Sequence, residues 1–227
     1  MKHRVFNVLL VAAAVGCASG ALPPKTVPPI NTAERAVAED RAADSLLVDL
    51  NVLDSSFIID MRYTTANNFT GARLPGYEAN RAYLRREAAN ALVGVERALA
   101  TRGLGLKILD AYRPVRATEE MVRWTERVHR PDLITDGYIA SRSRHNLGVA
   151  VDVTLINLTT QRELEMGTPF DTFSAAAHTD NATGPAAVNR QLLKSAMQAG
   201  GFSPYSEEWW HFSFPVEKPL RFDRVIR

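Results

Sequence analysis

The sequence is nearly devoid of cysteine: Cys17 is the only one in 227 residues. That excludes a disulfide within the chain and any metal site built from several thiolates, so a bound metal would have to be held by His, Asp or Glu. A dominant charge is also missing, with 27 Lys and Arg against 25 Asp and Glu and no long basic run. This balance argues against an extended nucleic-acid surface and for a small substrate. Several hydrolase signatures are absent too. No H-E-x-x-H, G-x-S-x-G or S-x-x-K occurs, which removes helix-based zinc proteases, serine hydrolases and penicillin-binding enzymes from consideration. Nor is there a dinucleotide-type glycine pattern or an internal repeat.

What is present begins with Lys2 and Arg4 ahead of an apolar stretch, Val8 to Val15, far too short to span a bilayer as a mature helix. Residues 1–17 therefore read as an export signal. Cys17 follows Ala14, Val15 and Gly16 in a pattern that resembles the lipobox of bacterial lipoproteins, which implies a lipidated cysteine and a periplasmic protein attached to the membrane. A plain signal peptide with an incidental cysteine is the alternative reading. Residues 18–45, with four prolines in "ALPPKTVPPI", read as a tether. A folded domain is expected over 46–227, a length suited to one buried core.

Within it, "LLVDLNVLDSSFIIDMRYTT" suggests short strands. Amphipathic spacing predicts a helix from Tyr77 to Arg102, stopped at Gly103, and further helices over Ala117–Val128 and Pro185–Gly200. "LGLKILDAYRP" reads as a strand with Arg113 at its end before Pro114. "GVAVDVTLI" alternates as a half-buried strand whose Asp152 faces away from the valines. Strands and helices do not alternate regularly. The expected class is α+β, a single domain with a central, mainly antiparallel sheet flanked by helices.

His129, His145, His178 and His211 remain once the leader is set aside. His129 and His178 read as surface or loop residues. His145 lies seven positions before Asp152, across Gly148, which can supply a sharp turn folding two strand segments together. His211 ends "EWWH". Two imidazoles and one carboxylate form a catalytic zinc set that leaves a coordination position open, and His145, Asp152 and His211 supply it. Glu208, three residues before His211, suits the base that such hydrolysis needs. Because residues three apart face opposite sides of a straight strand, Glu208 is expected in a turn or at a bulge. Arg113 is the candidate for stabilising an oxyanion.

"SRHNLGVAVD" and "EWWH" match the S-x-H-x-x-G-x-A-x-D and E-x-x-H patterns of the zinc D-alanyl-D-alanine dipeptidases of the VanX type. "RYTTANNFTG", "GYEANR", "DAYRP", "GYIASRSRH" and "MGTPFD" resemble further segments of that family in the same order, over roughly Leu50 to Phe214. The resemblance implies a Hedgehog/DD-peptidase-like fold and one zinc ion per chain on His145, Asp152 and His211. It also implies Glu208 as catalytic base and Arg113 as transition-state stabiliser. Tyr63 and Asp171 match residues that receive the free amino end of the substrate, and Ser143 a serine lining the site. The implied activity is hydrolysis of D-Ala-D-Ala. An export signal departs from the cytoplasmic members of the family and points to peptidoglycan turnover or scavenging. A D,D- or L,D-carboxypeptidase of the same fold and a zinc-stabilised binding module are the alternatives.

Overall fold

The computed structural model describes residues 40–217 and 220–227. The segment read as an export signal, Cys17 and most of the expected tether lie outside these residues. Residues 40–46 are helical and Ala43 is fully buried, so packing begins just ahead of Leu46.

The longest strand, β5 (Ala150–Asn157), is the middle of a five-stranded sheet. On one side of it lie β4 (Leu104–Asp110) and then β2 (Ile58–Ile59). On the other lie β7 (Glu208–Ser213) and the edge strand β6 (Ser203–Tyr205). Only β2 and β4 run parallel, and the other neighbours are antiparallel. A separate antiparallel ribbon joins β1 (Leu47–Asp49) to β3 (Tyr83–Arg85). With three long helices, α1 (Arg86–Ala100), α2 (Val115–Arg127) and α3 (Gly184–Ala199), this is the expected α+β arrangement.

Three expectations are corrected. The first helix begins at Arg86 rather than Tyr77, because Tyr83–Arg85 pair with β1 and Tyr77 forms a bridge to Ile226; pairing partners far along the chain override local periodicity. β5 is not half-buried. Val151, Val153 and Leu155 join the main core, while Ala150, Asp152 and Thr154 on the other face are as deeply enclosed. Finally, Arg113 lies three residues beyond the end of β4. There its backbone N–H donates to the His145 carbonyl at 3.1 Å, which ties the segment after β4 to the segment before β5.

α1 buries Ala88, Ala89, Leu92, Val95 and Leu99, the stripe its spacing predicts. Residues of α1 also hold the sheet directly: Glu96 accepts a hydrogen bond from the Leu106 N–H at 2.7 Å. The rigid layer so formed carries the site at the Asp110 end of β4.

Candidate active site

Register places the first charged groups. The β4–β5 ladder shifts between Ile108 and Asp110, and the shift sets Asp110 opposite Asp152. Facing carboxylates repel. Arg113 bridges them, its guanidinium lying 2.8 Å from Asp110 Oδ2 and 3.8 Å from Asp152 Oδ2. On the next ladder, Asp152 pairs with His211 of β7.

His145 arrives by a different route from the one expected. It sits on a single turn of 3-10 helix, Arg144–Leu147, rather than on a strand. Ser143 caps that turn, its Oγ accepting from the His145 N–H at 3.2 Å. Gly148 ends it at φ +65°, where a Cβ would lie 2.4 Å from Leu47 Cδ2. The left-handed backbone favours glycine there, and any larger residue would also have to displace the Leu47 side chain. The His145 ring is oriented from behind. Its Nδ1 lies 2.6 Å from the Ala111 carbonyl oxygen, a contact only an N–H can make, which leaves the Nε2 lone pair facing the site.

The resulting donors form a triangle. His145 Nε2 is 3.1 Å from His211 Nδ1 and 3.3 Å from Asp152 Oδ1, and His211 Nδ1 is 3.0 Å from Asp152 Oδ1. Ligands of a tetrahedral zinc with bonds of about 2.0–2.1 Å stand about 3.3–3.4 Å apart, so these residues fit that ion with little adjustment. The charge balance favours a cation as well. Asp110, Asp152, Asp171 and Glu208 crowd a region whose buried permanent cation is Arg113; Arg142 and Arg144, which also line the cavity, are exposed. Burial raises the pKa of Glu208, and the carboxylates of Asp152 and Asp171 raise it further. Burial likewise lifts Asp171, with Asp152 adding to the effect. For Asp152, burial is outweighed by the two imidazoles, and its carboxyl is held far below the usual range.

Glu208 opens β7 at an irregularity of the expected kind. Pro204 pairs with Phe212, yet Tyr205 pairs with Glu208, so β7 bulges between these points. The extra residues rotate Glu208 onto the side of His211, with its carboxylate 3.8 Å from His211 Nδ1. Across the site, the Tyr63 hydroxyl donates to Asp171 at 3.0 Å. Asp171 has φ +61°, a left-handed conformation uncommon outside glycine. Arg113 lies over the Tyr63 ring, 5.1 Å from its centre.

Tyr63, Arg113, Ser143, His145, Asp152, Asp171, Glu208 and His211 all line one cavity of about 260 Å³. A larger, more open depression of about 630 Å³ shares only Phe69 and Asp171 with it and holds none of the three donors, so the chemistry belongs to the smaller one. His178 stays apart in its loop, bound to Tyr138 and Glu207.

Sequence reasoning missed Asp110 and Tyr77. Asp110 is fully buried, accepts from the Tyr77 hydroxyl at 2.6 Å and from Arg113 Nε at 2.9 Å, and lies 3.5 Å from His145 Nδ1. It thereby anchors the arginine and sets a negative charge beside the imidazole whose Nδ1 proton the Ala111 carbonyl holds. A carboxylate ending an apolar strand three residues before Arg113 was the available signal.

Two imidazoles and a carboxylate around an open position, with a further carboxylate and a guanidinium alongside, define a metallohydrolase. A family model described as D-ala-D-ala dipeptidase, Peptidase_M15, matches residues 43–226. The D-alanyl-D-alanine dipeptidase of Enterococcus faecium is 36% identical over 168 residues, which are 67% of this chain and 83% of that protein. The Escherichia coli K12 enzyme of the same name is 35% identical over 171 residues, 74% of this chain and 84% of its own. The chain belongs to this D-Ala-D-Ala dipeptidase family. Among solved structures, the D,D-dipeptidase VanXYg gives a TM-score of 0.41 at 16% identity, covering 76% of this chain and 68% of that one. The LdcB LD-carboxypeptidase gives 0.41 at 20%, covering 60% and 61%.

Proposed function

We propose that the protein hydrolyses the peptide bond of free D-Ala-D-Ala, with zinc held by His145, Asp152 and His211. The observation carrying this reading is the gathering of every expected residue around one cavity of about 260 Å³, below the 300–1,000 Å³ or so typical of drug-sized ligands and suited to a dipeptide. Zinc held by these residues would lower the pKa of a bound water and polarise the scissile carbonyl.

The chain's own groups supply the rest. Glu208 takes a proton from the attacking water and delivers it to the leaving amine, completing the transfer without external acid. Arg113, held by Asp110 through Nε and Nη2 and lining the cavity, offers its charge to the developing oxyanion. Asp171, steadied by the Tyr63 hydroxyl, receives the substrate ammonium. Ser143 lines the cavity beside His145 and orients the bound dipeptide. A longer peptide has no ammonium at that point and would leave a buried carboxylate unpaired, which disfavours it.

The amino-terminal segment supports export and anchoring through Cys17, and hence work on wall-derived dipeptides outside the inner membrane, in turnover or scavenging. Zinc-loaded protein should hydrolyse D-Ala-D-Ala and leave N-acetyl-D-Ala-D-Ala intact. Equal cleavage of both would sink the dipeptidase reading in favour of a carboxypeptidase. Fractionation of cells producing the full chain, with and without Cys17→Ser, tests the anchor: loss of membrane association in the variant is expected.

A further inference from the structure

Arg190 of α3 is 1% exposed, although an arginine is among the side chains most costly to bury. Among the described residues no carboxylate pairs with it. Its partners are the loop that follows Glu165. Nε donates to the Met166 carbonyl at 2.7 Å, Nη1 to the His178 carbonyl at 2.7 Å, and Nη2 to the Ala176 carbonyl at 3.0 Å, with Thr168 Oγ1 at 3.5 Å. One planar group thus grips both ends of the segment 166–178. The neighbouring Asn189 adds a bond to the Glu165 carbonyl at 2.8 Å. On the loop side, Gly167 has φ +80°, and a Cβ there would lie 3.1 Å from Ala186 Cβ and 3.4 Å from Arg190 Nη2, so the loop packs closely on this face of α3. From the sheet, Trp209 donates its indole N–H to Thr168 Oγ1 at 2.9 Å, and the guanidinium lies 5.9 Å from the Trp209 ring centre.

Asp171 sits at the middle of the gripped segment, in a left-handed conformation, and the loop forms the partition between the small cavity and the open depression beyond it. A residue held at an uncommon φ keeps it only when its surroundings over-determine the backbone. The buried fork supplies that constraint through three carbonyls fixed at once.

We propose that Arg190 is a positioning residue for substrate selection. Touching no substrate itself, it holds the 166–178 segment so that the Asp171 carboxylate meets the free ammonium of the dipeptide. The inference rests on the reading of Asp171 as the amino-end receptor. Lysine keeps the charge at 190 but cannot span the three carbonyls.

The test compares zinc-loaded parent, Arg190→Lys, Asp171→Ala and the double variant on D-Ala-D-Ala and its N-acetyl analogue. Arg190→Lys should raise KM for the free dipeptide about 10-fold with kcat within about twofold, and should narrow the preference for the free over the acetylated substrate. In the Asp171→Ala background it should change KM by less than about twofold, because the group it positions is gone. A purely structural role predicts instead a lower kcat or active fraction, and equal effects in both backgrounds. Either result overturns the inference, as does a parental KM in Arg190→Lys alongside a raised KM in Asp171→Ala. A parental KM in Asp171→Ala overturns the amino-end reading and this inference with it. Should Arg190→Lys fail to fold, Arg190→Gln, which can reach the Met166 carbonyl but not all three carbonyls at once, should raise KM in the same way and lose that effect in the Asp171→Ala background; a parental KM in it overturns the inference.

Discussion

The strand β4 carries buried charge at both of its ends, and the two ends treat it differently. Near the start, Glu96 of α1 is 1% exposed and gives one oxygen to the Leu106 N–H; its other oxygen has no hydrogen-bond partner among the described residues. Burial raises its pKa above the usual glutamate range. At the far end, Asp110 is just as enclosed but touches Tyr77, Arg113 and His145, and Asp152, Glu208 and Asp171 lie within its reach through them. One end staples a helix to a sheet. The other concentrates more negative charge than Arg113 balances, around three atoms at metal-ligand spacing. What separates a buried acid that serves the fold from one that serves chemistry is therefore the company it keeps, since the two are equally buried.

The hardest test of that difference removes the ionisable group with least change in shape. Glu208→Gln should lower kcat on D-Ala-D-Ala by about 10³-fold or more, while metal analysis still finds close to one zinc per chain. Joint loss of zinc and activity would make Glu208 part of the metal site and break the division of labour proposed for it. Arg113→Lys comes next. It keeps the charge but loses the fork that bridges Asp110 and Asp152, and kcat should fall by about 10²-fold. Asp110→Asn acts one layer further back, removing the charge that anchors Arg113 and faces His145 Nδ1. Competition with a chelator should show zinc affinity lower by about 10-fold, and kcat of the fully loaded variant should also fall, by less than in Arg113→Lys, because Arg113 keeps its own charge and fork.

The same contrast explains what the sequence reveals. Each of the three proposed ligands occupies a position whose local signal survives folding: Asp152 in a clean alternation, His145 before a glycine in the left-handed region, and His211 at a fixed spacing from Glu208. The bulge in β7 follows from spacing alone, because a base and a ligand three residues apart cannot share a face otherwise. Tyr83–Arg85 are less legible: they carry a helical pattern and become a strand only because β1, nearly forty residues earlier, offers a partner. Asp110 and Arg190 are less legible still. Their roles depend on groups brought together by register and loop closure, and neither the spacing nor the composition around them announces that. Tyr63 and Asp171 become readable only through family resemblance, for they lie 108 positions apart.

The smallest expected effect concerns the quiet end of the strand. Glu96 has a folded pKa above its unfolded value, so the folded state binds its proton more tightly and stability falls as pH rises from about 4.5 through the elevated pKa. Glu96→Gln keeps an oxygen to accept from Leu106 and removes the titration. Thermal melts should show the variant equal to or slightly below the parent near about pH 5 and above it near about pH 8, by up to about 1 kcal/mol, with dipeptidase activity unchanged. A parent-to-variant difference that does not move with pH would mean that Glu96 stays ionised and compensated.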